Sequence, residues 1–140
     1  MHDTLAKCIV AFETALSDCH RPEDRSLIST YLAALAPVLV KASLGENVLE
    51  ELRQVERLFG NSWLIDVQPF QAALDYWRQF KNEYERFSLA GMTVNERLCA
   101  LGLMSDFDSA VSSGDTKRIG ILLERVFVDE MSIRKFIEQA

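Results

Sequence analysis

Apolar residues recur along the chain at intervals of three and four, which is the period of an amphipathic α-helix. The first stripe predicts a helix over residues 3–18, with Asp3 as its cap. Its members are Leu5, Cys8, Ile9, Phe12 and Leu16.

A second helix is predicted to begin near Pro22, because proline and acidic residues suit the first turn of a helix. Its apolar stripe continues to Leu35. Pro37 lacks an amide donor, so we expect the helix to break or kink there before a further turn over 38–44. Gly45 then ends it.

Two further long helices are predicted in the middle of the chain. Asn47 and Glu50 have the spacing of a capping pair at the start of a helix that ends at Gly60. Residues 62–67 are predicted to form a buried connector, and a helix over about 68–88 is predicted to follow. The expected buried stripe of that helix consists of Phe70, Ala73, Leu74, Trp77, Phe80, Tyr84 and Phe87.

The last third of the chain predicts shorter helices separated by glycines. Thr93 and Glu96 form a capping box for a helix over 93–101. Ser105 or Asp106 is expected to cap the next helix. Gly114 is predicted to end that helix and Asp115 to begin the following one. A last helix is predicted over about 132–139.

The chain shows no hairpin signal and no internal repeat. We therefore predict an all-α fold, an irregular bundle of about seven to eight helices in a single domain over 1–140. The change from long to short helices makes 90–92 a candidate subdomain edge.

Composition narrows the class of protein. The chain has 140 residues, is 49% apolar and carries 21 acidic against 15 basic residues, a net charge of −6. Such a surface repels nucleic-acid phosphates and anionic lipids and attracts a basic protein partner, although solubility alone also explains acidity. No signal peptide and no membrane span are predicted, and an odd number of cysteines favours the reducing cytoplasm.

Candidate chemistry is sparse. His2 and His20 have no cysteine or paired acids near them in sequence, and none of the usual nucleotide, hydrolase or zinc motifs occurs. Cys8, Cys19 and Cys99 show no metal-ligand spacing, and Cys99 is expected to be a buried structural thiol. We therefore predict neither a cofactor nor a metal site and expect a binding protein rather than an enzyme.

Aromatic residues surrounded by acids are typical of protein interfaces. Trp63 and Tyr76 are off the buried stripes, although a tryptophan in a connector is more often simply buried. The acids expected near them, with two from the third helix, complete a candidate partner-binding set of Glu50, Glu51, Trp63, Asp66, Asp75, Tyr76 and Glu83.

Several motifs of the last third resemble a segment that recurs in small bacterial proteins of unknown or immunity function. These motifs are Met92-Thr93-Val94-Asn95-Glu96-Arg97-Leu98, Leu101-Gly102-Leu103, Phe107-Asp108, Gly114-Asp115 and Ile121-Leu122. Together with Trp63-Leu64-Ile65-Asp66 and Tyr76-Trp77-Arg78, they make the chain resemble the small helical immunity proteins of bacterial contact-dependent growth inhibition systems.

The resemblance implies a toxin-neutralising protein that binds a cognate toxin domain in the cytoplasm, often a nuclease with a basic groove. It transfers no individual site residue, because such families vary in their binding surfaces. A helical adaptor or regulatory subunit, monomeric or homodimeric, is the alternative. An enzyme whose carboxylates meet only in the fold is the third hypothesis.

Overall fold

The computed structural model describes residues 1–60 and 70–139, and within these ranges its regular secondary structure is helical throughout. The predicted all-α class is confirmed. The helices are α1 His2–Asp18, α2 Pro22–Ser43, α3 Leu49–Gly60, α4 Gln71–Leu89, α5 Val94–Ala100, α6 Met104–Ser113, α7 Thr116–Arg125 and α8 Glu130–Gln139.

The chain divides into two compact units. The N-terminal unit is Met1–Tyr84 and the C-terminal unit is Glu85–Ala140. The division falls within α4, N-terminal to the edge expected at 90–92. The organisation of the chain as one domain stays a prediction.

A row of aromatic rings forms the centre of the N-terminal unit. Phe12 of α1 lies 5.7 Å from Tyr31 of α2, and Tyr31 meets Phe59 of α3 edge-on at 4.8 Å. Phe59 then meets Trp77 of α4 edge-on at 5.6 Å. One ring from each helix takes part, so the row joins α1, α2, α3 and α4. Edge-to-face pairs of this kind stabilise a core beyond the burial of their area.

The polar atoms of the buried Trp77 and Tyr84 have hydrogen-bond partners. The Trp77 indole N–H donates to the Glu56 carboxylate, and the Lys81 ammonium lies 3.4 Å from the same carboxylate. The Tyr84 hydroxyl accepts from the amide of Val48 at 3.0 Å and donates to the carbonyl of Glu46 at 3.4 Å. Burying these rings therefore leaves no donor of theirs unsatisfied, and the bonds fix α4 against α3 and the turn before it.

Of the predicted break or kink at Pro37, the break is wrong, because α2 continues through the proline. Leu35 and Val38 are completely buried on either side, whereas Pro37 itself is exposed. The carbonyl that loses its helical donor belongs to the exposed Ala33, where water can replace the bond. Core packing therefore keeps the helix continuous through its proline.

The length and apolarity of α2 also meet the requirements of a membrane span. It is the one helix of the described ranges to do so, with a mean hydropathy of 1.4. Ile28, Tyr31, Leu35 and Val38 nevertheless pack in the core of the N-terminal unit.

The C-terminal unit has its own apolar core, built by short helices. The buried members are Leu98, Phe107, Ala110, Ile119, Leu122, Leu123 and Val126. The capping box of Thr93 and Glu96 is present, with both reciprocal bonds formed. Gly114 ends α6 at a φ of 68°, and the Asp115 side chain accepts from the amide of Arg118 at 3.0 Å. The predicted stop and restart at this pair is confirmed.

The predicted cap of α6 is wrong. The helix begins at Met104 with Leu103 as its N-cap, and no side chain caps it there. Asp106 lies in the first turn instead, where its charge suits the helix dipole. The partly buried Leu103 and Met104 pack on the core of the unit, which explains the earlier start.

Arginine side chains fasten the end of α4 to the end of α7. Arg125 makes a bidentate ion pair with the buried Glu85, in which its two Nη atoms donate to the two carboxylate oxygens at 2.7 and 3.1 Å. Arg97 donates to the carbonyls of Met92 and Val126, at 3.0 and 3.1 Å. Phe127, next to Val126, has a φ of 63°, which is unfavourable for a side chain of this size. The guanidinium of Arg86 covers its ring at 4.8 Å.

Phe87 does not belong to the buried stripe of α4, contrary to the expectation from spacing. Its side chain is 73% exposed. Beyond Tyr84 the buried positions of the helix are Glu85 and Leu89, one turn apart. Phe87 is two residues from each of them in sequence and therefore lies on the opposite face of the helix, toward solvent.

Replacing the buried carboxylate of the C-terminal unit tests the Glu85–Arg125 pair. We expect Glu85→Gln to lower the free energy of unfolding by about 1–2 kcal/mol, because a charge-assisted pair is lost but Arg125 can regain water. Urea denaturation followed by circular dichroism measures it. The control is Glu130→Gln, which breaks the exposed Glu130–Arg134 pair and should have little effect. Equal effects of the two substitutions would contradict a stabilising role for the buried pair.

Candidate protein-binding surface

A shallow cleft of about 420 Å³ lies between α1 and α4 of the N-terminal unit. The half-buried Tyr76 forms its α4 side. The α1 side consists of Asp3, Ala6, Lys7, Val10 and Ala11. We name these six residues the α1–α4 cleft.

Helix geometry places Tyr76 at the edge of the core rather than inside it. Ala73, Trp77 and Phe80 are buried on the core side of α4. Tyr76 precedes Trp77, so its side chain points about 100° away from that of the tryptophan, toward α1. Ala6 and Ala11 have short side chains, and they line the same cleft as Tyr76. Val10 beside them is 58% exposed, so the cleft offers apolar surface to a partner.

Carboxylates follow the same stretch of α4. Asp75 is 59% exposed and accepts from the Gln71 side-chain amide at 3.0 Å. Glu83 is 37% exposed and accepts from the Gln79 amide at 3.0 Å and from the Thr4 hydroxyl at 3.4 Å. The bond to Thr4 ties the Glu83 carboxylate to α1. Three of the seven predicted site residues, Asp75, Tyr76 and Glu83, therefore lie on one helix beside α1.

The two predicted acids of α3 have other partners. Glu51 pairs with the Lys41 ammonium of α2, and this hydrogen bond lowers the pKa of the Glu51 carboxyl and raises the pKa of Lys41. Glu50 is 56% exposed and lies 3.4 Å from Arg53 one turn along its own helix. Neither residue lines the α1–α4 cleft. Trp63 and Asp66 lie outside the described residues.

The apolar residues on the α1 side of the cleft were not among the seven site residues predicted from the sequence. Ala6 and Val10 are four positions apart, on the side of α1 opposite Leu5, Cys8 and Phe12. The sequence could have indicated this surface, because Ala6 and Val10 are apolar residues at helical spacing outside the buried stripe of α1. The sequence does not show that α4 packs beside this pair, and only the fold identifies it as part of a cleft.

The described side chains offer little catalytic chemistry. No group of three or more histidine, cysteine or acidic residues in the described ranges is arranged to hold a metal ion. Burial raises the pKa of the Cys8 thiol to about 12, and its sulfur donates to the carbonyl of Ala73 at 3.3 Å. Cys8 is therefore protonated at neutral pH and part of the core. Both histidines are exposed.

Cys99 is exposed, and its predicted burial is wrong. Leu98 is the residue of α5 that enters the core of the C-terminal unit. Cys99 follows it by one position, about 100° around the helix, and so faces solvent.

No protein-family model matches this chain, no curated protein is significantly similar to it, and no solved structure matches it either. Inferences about function therefore depend on the described side chains and on the motifs of the sequence.

The three thiols are expected to differ in reactivity. In the native protein, a thiol reagent such as DTNB should modify Cys99 first, because it is exposed while Cys8 and Cys19 are buried. Replacing Cys99 with serine should remove the fast phase and leave the slow reaction that unfolding controls. A fast phase that survives in Cys99→Ser would show that Cys8 or Cys19 is accessible.

The Lys41–Glu51 pair predicts a pH-dependent contribution to stability. Since the pKa of Glu51 is lower in the folded state, its stabilisation is present above the ordinary carboxyl pKa of about 4.3 and disappears as the pH falls through the lower folded value. Glu51→Gln should therefore destabilise the protein at pH 7 and approach the wild type in strong acid. Urea denaturation at a series of pH values measures the difference.

Glu50→Gln is the matched control, because its ion pair joins residues of one helix and is more exposed. It should change stability less than Glu51→Gln at pH 7. A Glu51→Gln difference that stayed constant down to strong acid would exclude the ion pair as its source.

Proposed function

We propose that this chain is an immunity protein that binds a toxin domain of the nuclease class and covers its active site. The observation that carries the proposal is the α1–α4 cleft, which combines an aromatic side chain, exposed apolar surface and neighbouring carboxylates. Interfaces use such aromatic residues as anchors because a large ring loses little conformational freedom on binding.

The charge of the N-terminal unit supports a basic partner. Met1–Tyr84 contains twelve acidic and eight basic residues. Around the cleft, Asp75 lies 3.4 Å from Arg78 and Glu83 lies 3.8 Å from the Met1 ammonium, so the acidic excess that supports a basic partner is that of the whole unit. A nuclease groove is positive because it holds phosphates, so an acidic surface is electrostatically complementary to it and accelerates association.

The C-terminal unit supports the proposal through its sequence. It contains the motif series from Met92 to Leu122 that resembles the immunity proteins of contact-dependent growth inhibition systems. Arg97 of that series fixes the carbonyls of Met92 and Val126, which gives part of the motif a structural role. The proposed site of action is the cytoplasm, where a toxin of this kind meets its substrate.

The proposed mechanism is stoichiometric occlusion. Tyr76 and Val10 insert against apolar surface at the edge of the toxin's groove, and Asp75 and Glu83 pair with basic residues that otherwise bind phosphate. The bound chain thus excludes nucleic acid from the groove, and neutralisation requires neither catalysis nor a cofactor.

Capture of the partner, followed by titration calorimetry, tests the proposal. The chain serves as bait in a lysate of its source cells, and the captured protein should be basic, toxic when expressed alone and bound one to one. Tyr76→Ala should weaken binding by about 10-fold or more, the usual loss at an aromatic anchor. A non-toxic partner, or self-association alone, would favour the adaptor hypothesis instead.

Charge reversal tests the electrostatic part separately. The double variant Asp75→Lys and Glu83→Lys should slow association and reduce its dependence on salt, because steering acts through the long-range field. The control, Asp108→Lys with Glu138→Lys, makes the same change of net charge in the C-terminal unit. Equal losses in both variants would show that only net charge matters and would exclude the cleft as the docking position.

A further inference from the structure

A second concave surface lies in the C-terminal unit, between α7 and α8. This groove has a volume of about 470 Å³. Its apolar floor includes Gly120, Ile121, Val128 and Ile133. Ile121 is 47% exposed, so the floor is open to solvent.

Gly120 is not required by the backbone or by the packing of the unit. It lies inside α7, where its φ is not in the left-handed region, and glycine there is unfavourable relative to alanine. An added Cβ would lie 3.9 Å from the nearest atoms of Ile133 and Ile137, which is ordinary contact. The fold therefore tolerates a methyl group at this position, and the glycine keeps the groove deeper than stability alone requires.

The charges of the groove are arranged along its length. Lys117 lies at one end of α7 and Glu124 at the other, seven residues or about 10 Å apart along the helix. Glu130 adds a second carboxylate to the lining, and its partner Arg134 is 72% exposed. The groove thus has one positive end, one negative end and an apolar middle.

We propose that this groove binds a helical segment of a partner protein, with an aliphatic side chain over Gly120 and opposite charges at its two ends. An acid of the segment pairs with Lys117 and a base pairs with Glu124, about two turns apart. Because helices present residues seven positions apart on one face, a short amphipathic helix matches this spacing. The proposal is independent of the toxin-binding function proposed for the α1–α4 cleft.

The probe is a synthetic alanine-based helical peptide of about 14 residues. It carries a glutamate and a lysine seven positions apart with two leucines between them. In the full-length ¹⁵N-labelled protein, its binding should shift the amide resonances of Gly120, Ile121, Glu124 and Ile133. A control peptide with glutamate at both charged positions should bind at least about threefold more weakly.

Two protein variants complete the test. Gly120→Ala should raise the melting temperature by about 2–5 °C and yet weaken peptide binding about threefold or more, a combination that damage to the fold does not produce. Glu124→Lys should weaken binding, whereas the control Glu138→Lys, an exposed acid outside the groove, should not. The proposal is overturned if the peptide does not bind, if its shifts lie elsewhere, or if Gly120→Ala stabilises the protein without loss of affinity.

Discussion

The structure of the N-terminal unit depends on the burial of Trp77 with its indole N–H bonded to the Glu56 carboxylate. A buried N–H without a hydrogen-bond partner costs free energy. The α3 helix therefore packs against α4 with the Glu56 carboxylate next to the Trp77 indole. Phe59, one turn later on α3, then reaches the tryptophan ring. Tyr31 and Phe12 continue the row of rings into α2 and α1, so the ring contacts connect Trp77 to α1, α2 and α3.

The α1–α4 cleft is a consequence of this packing. Once Trp77 faces the core, Tyr76 must lie at the edge of α4. Phe12 and Cys8 hold the opposite side of α1 in the core, so Ala6 and Val10 face outward beside Tyr76. The Thr4–Glu83 hydrogen bond joins the same two helices further along. The candidate binding residues thus lie on two helices that the core packing and this hydrogen bond hold together.

Much of the fold was predictable from sequence because it depends on local rules. The capping box at Thr93 and the αL glycine at Gly114 gave helix ends close to those observed. The predictions that failed depended on tertiary packing. Pro37 stays in a helix because Leu35 and Val38 are buried beside it, and Phe87 is exposed because the buried face of α4 moves to Glu85 and Leu89. Sequence periodicity alone contains neither fact.

The candidate site was predictable only along one helix. Asp75, Tyr76 and Glu83 follow from helical spacing, whereas the pairing of Glu51 with Lys41 and the packing of Val10 beside Tyr76 depend on contacts between helices. The charges of the surface were visible in the sequence, but their ion pairs were not. The identity of a partner is a property of two molecules, and one sequence describes only one of them.

Hydroxyl-radical footprinting of the chain with its captured partner tests the central claim most directly. The method reports the solvent exposure of individual side chains, and Phe87, 73% exposed and outside the cleft, is an internal reference. Partner binding is expected to suppress oxidation of Tyr76 and Val10 while Phe87 reacts as before. Unchanged oxidation of Tyr76 in a saturated complex would contradict the central claim and would place the interface elsewhere on the chain.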